Sequence, residues 1–224
     1  MKWIKKIQNI NKKGGTTMLY NYIKANYKEA EPIFFSDLER DDISKSALNQ
    51  QLKRLCDKGL LMKYDTGVYY IPKRTLLNSM IGPNADMVAR YRFILKGDKI
   101  EGFYGGNSFA NQIGITTQVP RVVEIVSNNT NSSDREDKIG DRRFYIKKPI
   151  VKITNENVYV LQMLELLKNL DAYLDYSYKE AKEKFAVYIS AHGIKRADVD
   201  YYIRKYPLAT FKYYYELELD HVLA

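Results

Sequence analysis

The sequence predicts an α+β fold built in parts, and three observations carry that expectation. The first third sets three short amphipathic helical patterns among extended runs and closes on a tight β-turn. The middle holds two β-rich runs around a polar loop. From Thr154 onward, apolar residues recur at helical spacing to the end of the chain. The 224 residues suit one large domain or two small ones, and a hydrophobic fraction of 45% supplies a packed core.

Residues 1–17 read as a basic extension carrying Lys2, Lys5, Lys6, Lys12 and Lys13. Trp3, Ile4, Ile7 and Ile10 fall near helical spacing, so an amphipathic helix and a basic arm both fit. In residues 16–28, Met18, Leu19, Tyr22, Ile23 and Tyr27 make one apolar stripe. Residues 33–35 are a short extended piece. Ser36 and Glu39 have the S-x-x-E spacing of a capping box, which predicts a brief second helix burying Leu38. Ser44 is placed to cap a third helix over residues 45–58. There Ala47, Leu48, Leu52, Leu55 and Cys56 share a face, and Gly59 suits the left-handed residue that ends it.

The opposite face of that third helix displays Lys45, Ser46, Asn49, Gln50, Lys53 and Arg54. Asn and Gln offer paired hydrogen bonds to adenine edges, while Lys and Arg suit guanine and phosphates. Residues 60–64 and 68–71 then read as two strands joined by Asp65-Thr66-Gly67, with Gly where a positive φ is needed. Helix, short helix, polar-faced helix and β-ribbon is the order of a winged helix-turn-helix, expected over residues 18–75. In that arrangement the third helix enters the major groove of duplex DNA. Lys63 and Thr66, near the ribbon tip, complete the expected DNA-binding set. Winged helices also serve as protein-docking modules, which keeps a second reading open.

Residues 76–224 form the rest of the molecule, with an α/β piece over 84–150 and a helical part over 154–224. Gly82-Pro83 marks a connector. Met87, Val88, Tyr91 and Ile94/Leu95 predict a helix over 86–95, and Phe109, Ala110 and Ile113 a short one after Gly105-Gly106. Residues 122–126 and 142–146 are β-rich and are expected to pair antiparallel across a polar loop. Val158, Leu161, Met163/Leu164, Leu167 and Leu170 predict a central buried helix. Ser177 and Glu180 form a second capping box, opening a helix that closes at Gly193. Residues 195–206 form another, and a last one follows Pro207 with Leu208, Phe211, Tyr215 and Leu219.

The net charge of +9 points to an acidic partner, and it is uneven: residues 1–75 carry a net +7 and the remainder +2. The single cysteine, Cys56, forms no intrachain disulfide and fits a reducing cytoplasm. The opening residues lack the apolar core of a signal peptide, and no run approaches a membrane span. One Cys and two His argue against a zinc site. Asp198 and Asp200, two apart on a helix, point in opposed directions. Gly105-Gly106-Asn107-Ser108 resembles a nucleotidyltransferase entry loop but lacks the carboxylate pair that chemistry requires. His192 sits at a helix end, where an imidazole can favour the C-terminal dipole. The sequence therefore predicts no catalytic residue, no metal and no cofactor.

Residues 100–128, IEGFYGGNSFANQIGITTQVPRVVEIVSN, and 149–171, PIVKITNENVYVLQMLELLKNLD, resemble AbiEi-type antitoxins of bacterial abortive-infection systems. The most family-like pieces are Gly114 to Pro120 and Ile153 to Asn157, and the resemblance extends over about residues 18–224. It implies two roles: repression of the protein's own operon through the N-terminal winged helix, and opposition by the C-terminal domain to a nucleotidyltransferase-like toxin, whose direct contact it leaves open. The implied DNA is the protein's own promoter, with inverted repeats, bound by a monomer or weak dimer.

Overall fold

A computed structural model of the chain describes residues 15–76, 79–130 and 134–223. The expectation for the basic extension, up to residue 14, lies outside them. The fold is α+β, with helices around several small sheets. The chain divides into two compact units, Met1–Val88 and Ala89–Ala224.

The first unit begins with α1 (Gly15–Asn26), followed by β1 (Ile33–Phe34), α2 (Phe35–Leu38) and α3 (Lys45–Asp57). Then come β2 (Met62–Asp65) and β3 (Val68–Tyr70), which pair antiparallel and, with β1, form a sheet of order β1-β3-β2. Ile23, Ile33, Leu38, Leu48, Leu52, Leu55, Leu61, Tyr69 and Ile71 make its core. Tyr22, expected in the buried stripe of α1, is exposed instead. The expected Ser36–Glu39 capping box does not form. The helix starts two residues earlier than that cap requires, at Phe35, and spans a single turn; Glu39 lies past its end in extended backbone, and its carboxylate turns to Lys45. The expected connector contains a two-stranded ribbon, β4 (Lys73–Arg74) against β5 (Met80–Ile81).

The second unit is entered through α4 (Ala85–Ala89), which runs into a π-helical turn over Arg90–Ile94. The wide turn inserts one residue into the helical repeat and rotates the buried face. Val88, Phe93 and Ile94 are buried, whereas Met87 and Tyr91, expected inside, are exposed. A short hairpin of β6 (Leu95–Lys96) and β7 (Lys99–Ile100) leads to β8 (Gly102–Tyr104), α5 (Gly106–Gln112) and β9 (Val122–Ser127).

β9 and the strand at residues 142–147 pair parallel, not antiparallel. The expected loop between them holds a further strand, β10 (Arg135–Ile139), which turns at Gly140 (φ +57°) into β11 (Arg142–Lys147). Because β10 occupies one edge of β11, the other edge meets β9, giving the order β10-β11-β9-β8. β10 reads as loop because it is a sheet edge: of Arg-Glu-Asp-Lys-Ile only Ile139 is buried.

Helix α6 (Val158–Leu167) is buried along nearly its whole length, as its apolar coverage predicts. It packs against α5, β8, α8 (Arg196–Tyr202) and α9 (Leu208–Glu216). Between them, α7 (Tyr178–His192) opens with the Ser177–Glu180 capping box and closes at Gly193 (φ +58°), both as expected. The predicted last helix is broken at Glu218 (φ +50°) into α9 and α10 (Leu219–Val222).

Residues 114–120 and 153–157 are held by hydrogen-bond staples. Asp175 accepts from the Thr116 hydroxyl (2.6 Å), the Thr117 amide (2.8 Å) and the Thr117 hydroxyl (3.2 Å). Asn155 accepts from the Ile100 amide (2.7 Å) and donates to the Asp98 carbonyl (3.0 Å). Asn157 accepts from the Thr154 amide (2.8 Å) and donates to the Lys152 carbonyl (3.0 Å). These irregular segments satisfy their backbone groups through side chains, a direct reason for residue-specific loops.

Candidate nucleic-acid interface

Three leucines one helical turn apart hold α3 in place. Leu48, Leu52 and Leu55 are at most 1% exposed, so the residues between them must face outward. Ser44 caps the helix by accepting from the Ala47 amide at 3.2 Å, and Gly59 takes φ +66° just beyond its end. Lys45, Ser46, Asn49, Gln50, Lys53 and Arg54 are all exposed. All six therefore share one solvent-facing surface within the first unit, set by the same periodicity that buries the leucines.

The turn between β2 and β3 belongs to the same unit. Gly67 adopts φ +71°, Thr66 donates its amide to the Asp65 carboxylate at 2.6 Å, and Phe35 donates to the Gly67 carbonyl at 2.8 Å. The turn is thus tied to the start of α2 rather than free to swing. Lys63 and Thr66 are exposed beside it, and a register shift between Lys63 and Asp65 twists the strand there.

The electrostatics are less one-sided than the sequence suggests. Lys45 lies 3.1 Å from Glu39 and is partly neutralised by it. Arg40 clasps Asp42 through two hydrogen bonds, one of 2.8 Å. Lys53, Arg54 and Lys63 make no ion pair among the described residues. Sequence reading assigned Glu39 to a cap and so missed its place beside Lys45; the six-residue separation across a turn carries no periodic signal. Cys56 is half-buried on the apolar side of α3. Burial pushes its thiol pKa up, with Asp57 adding to the effect and Lys63 opposing it, so the thiol stays protonated and packs.

The second unit offers polar clusters of another kind. Glu124 on β9 pairs with Lys147 on β11 at 2.9 Å, and its carboxylate lies against Gly105 and Gly106, where a Cβ would meet it at 2.7–2.9 Å. The glycines of the Gly105–Ser108 loop therefore make room for a strand side chain. Glu165 on α6 is paired to Lys168; burial pushes its pKa up, and the lysine opposes the shift. Asp200 lies 3.8 Å from Arg196, with buried Val199 separating it from exposed Asp198. His192 lies in the last turn of α7, where it was expected; its ring stacks on Tyr159 with centroids 3.8 Å apart, and burial lowers its pKa. No three His, Cys, Asp or Glu side chains converge on one point among the described residues, and no helix among them is long and apolar enough to cross a membrane.

The exposed amide-and-cation face of α3 and the pinned β2–β3 turn, both in the first unit, are the candidate nucleic-acid-binding features. The chain belongs to the family of unknown function DUF6088, which it matches over residues 5–183. That match spans both units and ends inside α7. No curated protein matches the chain.

Proposed function

We propose that the first unit is a winged helix-turn-helix that reads duplex DNA, with α3 as the recognition helix and the β2–β3 turn as the wing. The observation that carries this reading is the exposure of Lys45, Ser46, Asn49, Gln50, Lys53 and Arg54 on one face of α3, with Lys63 and Thr66 exposed at the neighbouring turn. Asn49 and Gln50 supply base-edge hydrogen bonds, and Lys53, Arg54 and Lys63 hold phosphates. The protein acts in the cytoplasm on inverted repeats in its own promoter, as a monomer or weak dimer, with no cofactor and no catalytic residue of its own.

The resemblance of residues 100–128 and 149–171 to AbiEi-type antitoxins extends the proposal: the protein represses its own operon and counters a nucleotidyltransferase-like toxin encoded beside it. A gel shift on the DNA upstream of its gene tests the first half. Asn49→Ala or Gln50→Ala is expected to lose about 1–3 kcal/mol of discrimination at one base pair. Equal affinity for that DNA and for random duplex would refute repression. Growth rescue by the full chain in cells expressing the neighbouring toxin tests the second half. The Asn49 and Gln50 variants should rescue growth while losing repression.

A protein-docking role for the same module is the second reading. It is favoured by the Glu39–Lys45 pair, which takes one of the four cations of the surface out of play. Capture of the toxin by a protein that binds no duplex at low salt would select it.

A further inference from the structure

Among the described residues, no side chain of the β4–β5 ribbon is buried. Lys73, Arg74, Met80 and Ile81 are all exposed, and Leu76, in the turn, is as accessible as in an extended chain at 106%. A two-stranded ribbon with neither face covered is marginal in water. Yet this one is anchored at its base and its tip. Ala30 donates to the Ile71 carbonyl at 2.8 Å just before it, and the Gly82 backbone lies so close over the Tyr70 ring that a Cβ there would sit 2.6 Å from Cζ. Thr75 and Ser79 close the turn: the Thr75 amide donates to the Ser79 carbonyl (2.9 Å), the Ser79 amide to the Thr75 hydroxyl (3.1 Å), and the two hydroxyls meet at 2.6 Å.

Register puts Lys73 opposite Ile81 and Arg74 opposite Met80. Each face of the ribbon thus carries one cation and one apolar side chain. The residues from 73 to 81 include two cations and no acid. Like charge disfavours a second copy of the ribbon and suits a polyanion. Cationic side chains flanking exposed Leu, Met and Ile are the chemistry that minor-groove proteins use, where cations follow the phosphates and apolar groups wedge at base steps.

β4 follows β3 after Ile71 and Pro72, so the ribbon belongs to the same unit as the β2–β3 turn.

We propose that the β4–β5 ribbon is a second DNA-contacting arm, with Lys73 and Arg74 on the phosphates bordering a minor groove and Leu76, Met80 and Ile81 against its base steps. This rests on the reading of the first unit as a DNA-binding module. Such contacts are independent of sequence, so a random-sequence duplex of 30 base pairs is the probe, with affinity measured by fluorescence anisotropy across salt concentrations.

For the double variant Lys73→Ala/Arg74→Ala, the slope of log affinity against log salt should fall by about 1.8. Leu76→Ser should keep the slope and lose both the DNA bend, read by end-to-end energy transfer, and the competition by netropsin, a minor-groove ligand. These residues are exposed, so thermal melting of the variants should match the parent. Binding of the duplex by the parent with an unchanged slope and bend in the variants would overturn the arm while leaving the α3 reading intact. No binding at low salt by the parent would bring down both. A shift in sedimentation of the free protein, or Leu76-dependent binding to anionic vesicles with an unchanged DNA slope, would give the ribbon to another partner and overturn the proposal.

Discussion

Glu39→Gln isolates the electrostatics of the α3 surface. That surface presents Lys45, Lys53, Arg54 and Lys63, and Lys45 is held 3.1 Å from Glu39, with side-chain exposures of 76% and 37%. Each phosphate neutralised on duplex binding contributes about 0.9 to the salt slope through released counterions. A lysine already neutralised by a carboxylate releases little, so the native surface should contribute about 2.7, from three cations, and the variant about 3.6, from four. An exposed pair of this kind is worth at most about 1 kcal/mol, so freeing Lys45 should tighten binding to any duplex by up to about fivefold. The assay is anisotropy on random-sequence duplex between low and physiological salt, with unfolding midpoints recorded alongside. Glu39 is the C-cap residue of the one-turn α2, but its carboxylate turns to exposed Lys45, so stability should hardly change. An unchanged slope would refute the reasoning that the Glu39 pair keeps Lys45 from phosphate. A loss of affinity would mean that Glu39 itself contacts the DNA, as a carboxylate can at a cytosine edge.

Other expectations concern the second unit. The Tyr214 hydroxyl is buried with no hydrogen-bond partner among the described residues, so Tyr214→Phe should raise stability by about 1 kcal/mol or more, read as a higher denaturant midpoint. The His192 pKa is lowered by burial, so the unfolded chain binds the proton more readily. The stability this contributes is present above about pH 6.5 and is lost as pH falls through the folded-state pKa; His192→Phe should remove that component when midpoints are compared from pH 8 to pH 5. Asp175→Asn should loosen the segment from Thr116 to Gln118, visible as faster amide exchange at Thr117 and cleavage near exposed Val119; full protection there would contradict the staple. The Asp175 carboxylate lies below its ordinary pKa because Thr116 donates to it. The parent should therefore keep this protection above about pH 4 and lose it only as pH falls through that lowered value.

Much of the first unit was legible from residue spacing. Leu48, Leu52 and Leu55 repeat at helical intervals, and the same repeat places Asn49, Gln50, Lys53 and Arg54 on the other side; burial then follows from periodicity alone. Local chemistry likewise announced Ser44, the Ser177–Glu180 box, Gly67 and Gly193, because caps and left-handed turns act over three or four residues. The Ser36–Glu39 motif had the same spacing and failed, since a one-turn helix beginning at Phe35 leaves Glu39 outside it.

Only the tertiary structure decided where chain segments distant in sequence meet. Strand β10 is charged because it is an edge, and its charge disguised it. β9 pairs parallel with β11 while β10 lies on β11's other edge. The π-helical turn at Arg90–Ile94 shifted a regular apolar pattern, so that Phe93 rather than Tyr91 is buried. Glu39 found Lys45 and Asp175 found Thr116 through folds in the backbone that no periodicity encodes. Short-range sequence order thus determined which helices form and which faces they bury. Strand neighbours, the ion pairs and the stapled loops were settled by packing, because their partners are brought together only after the chain has folded.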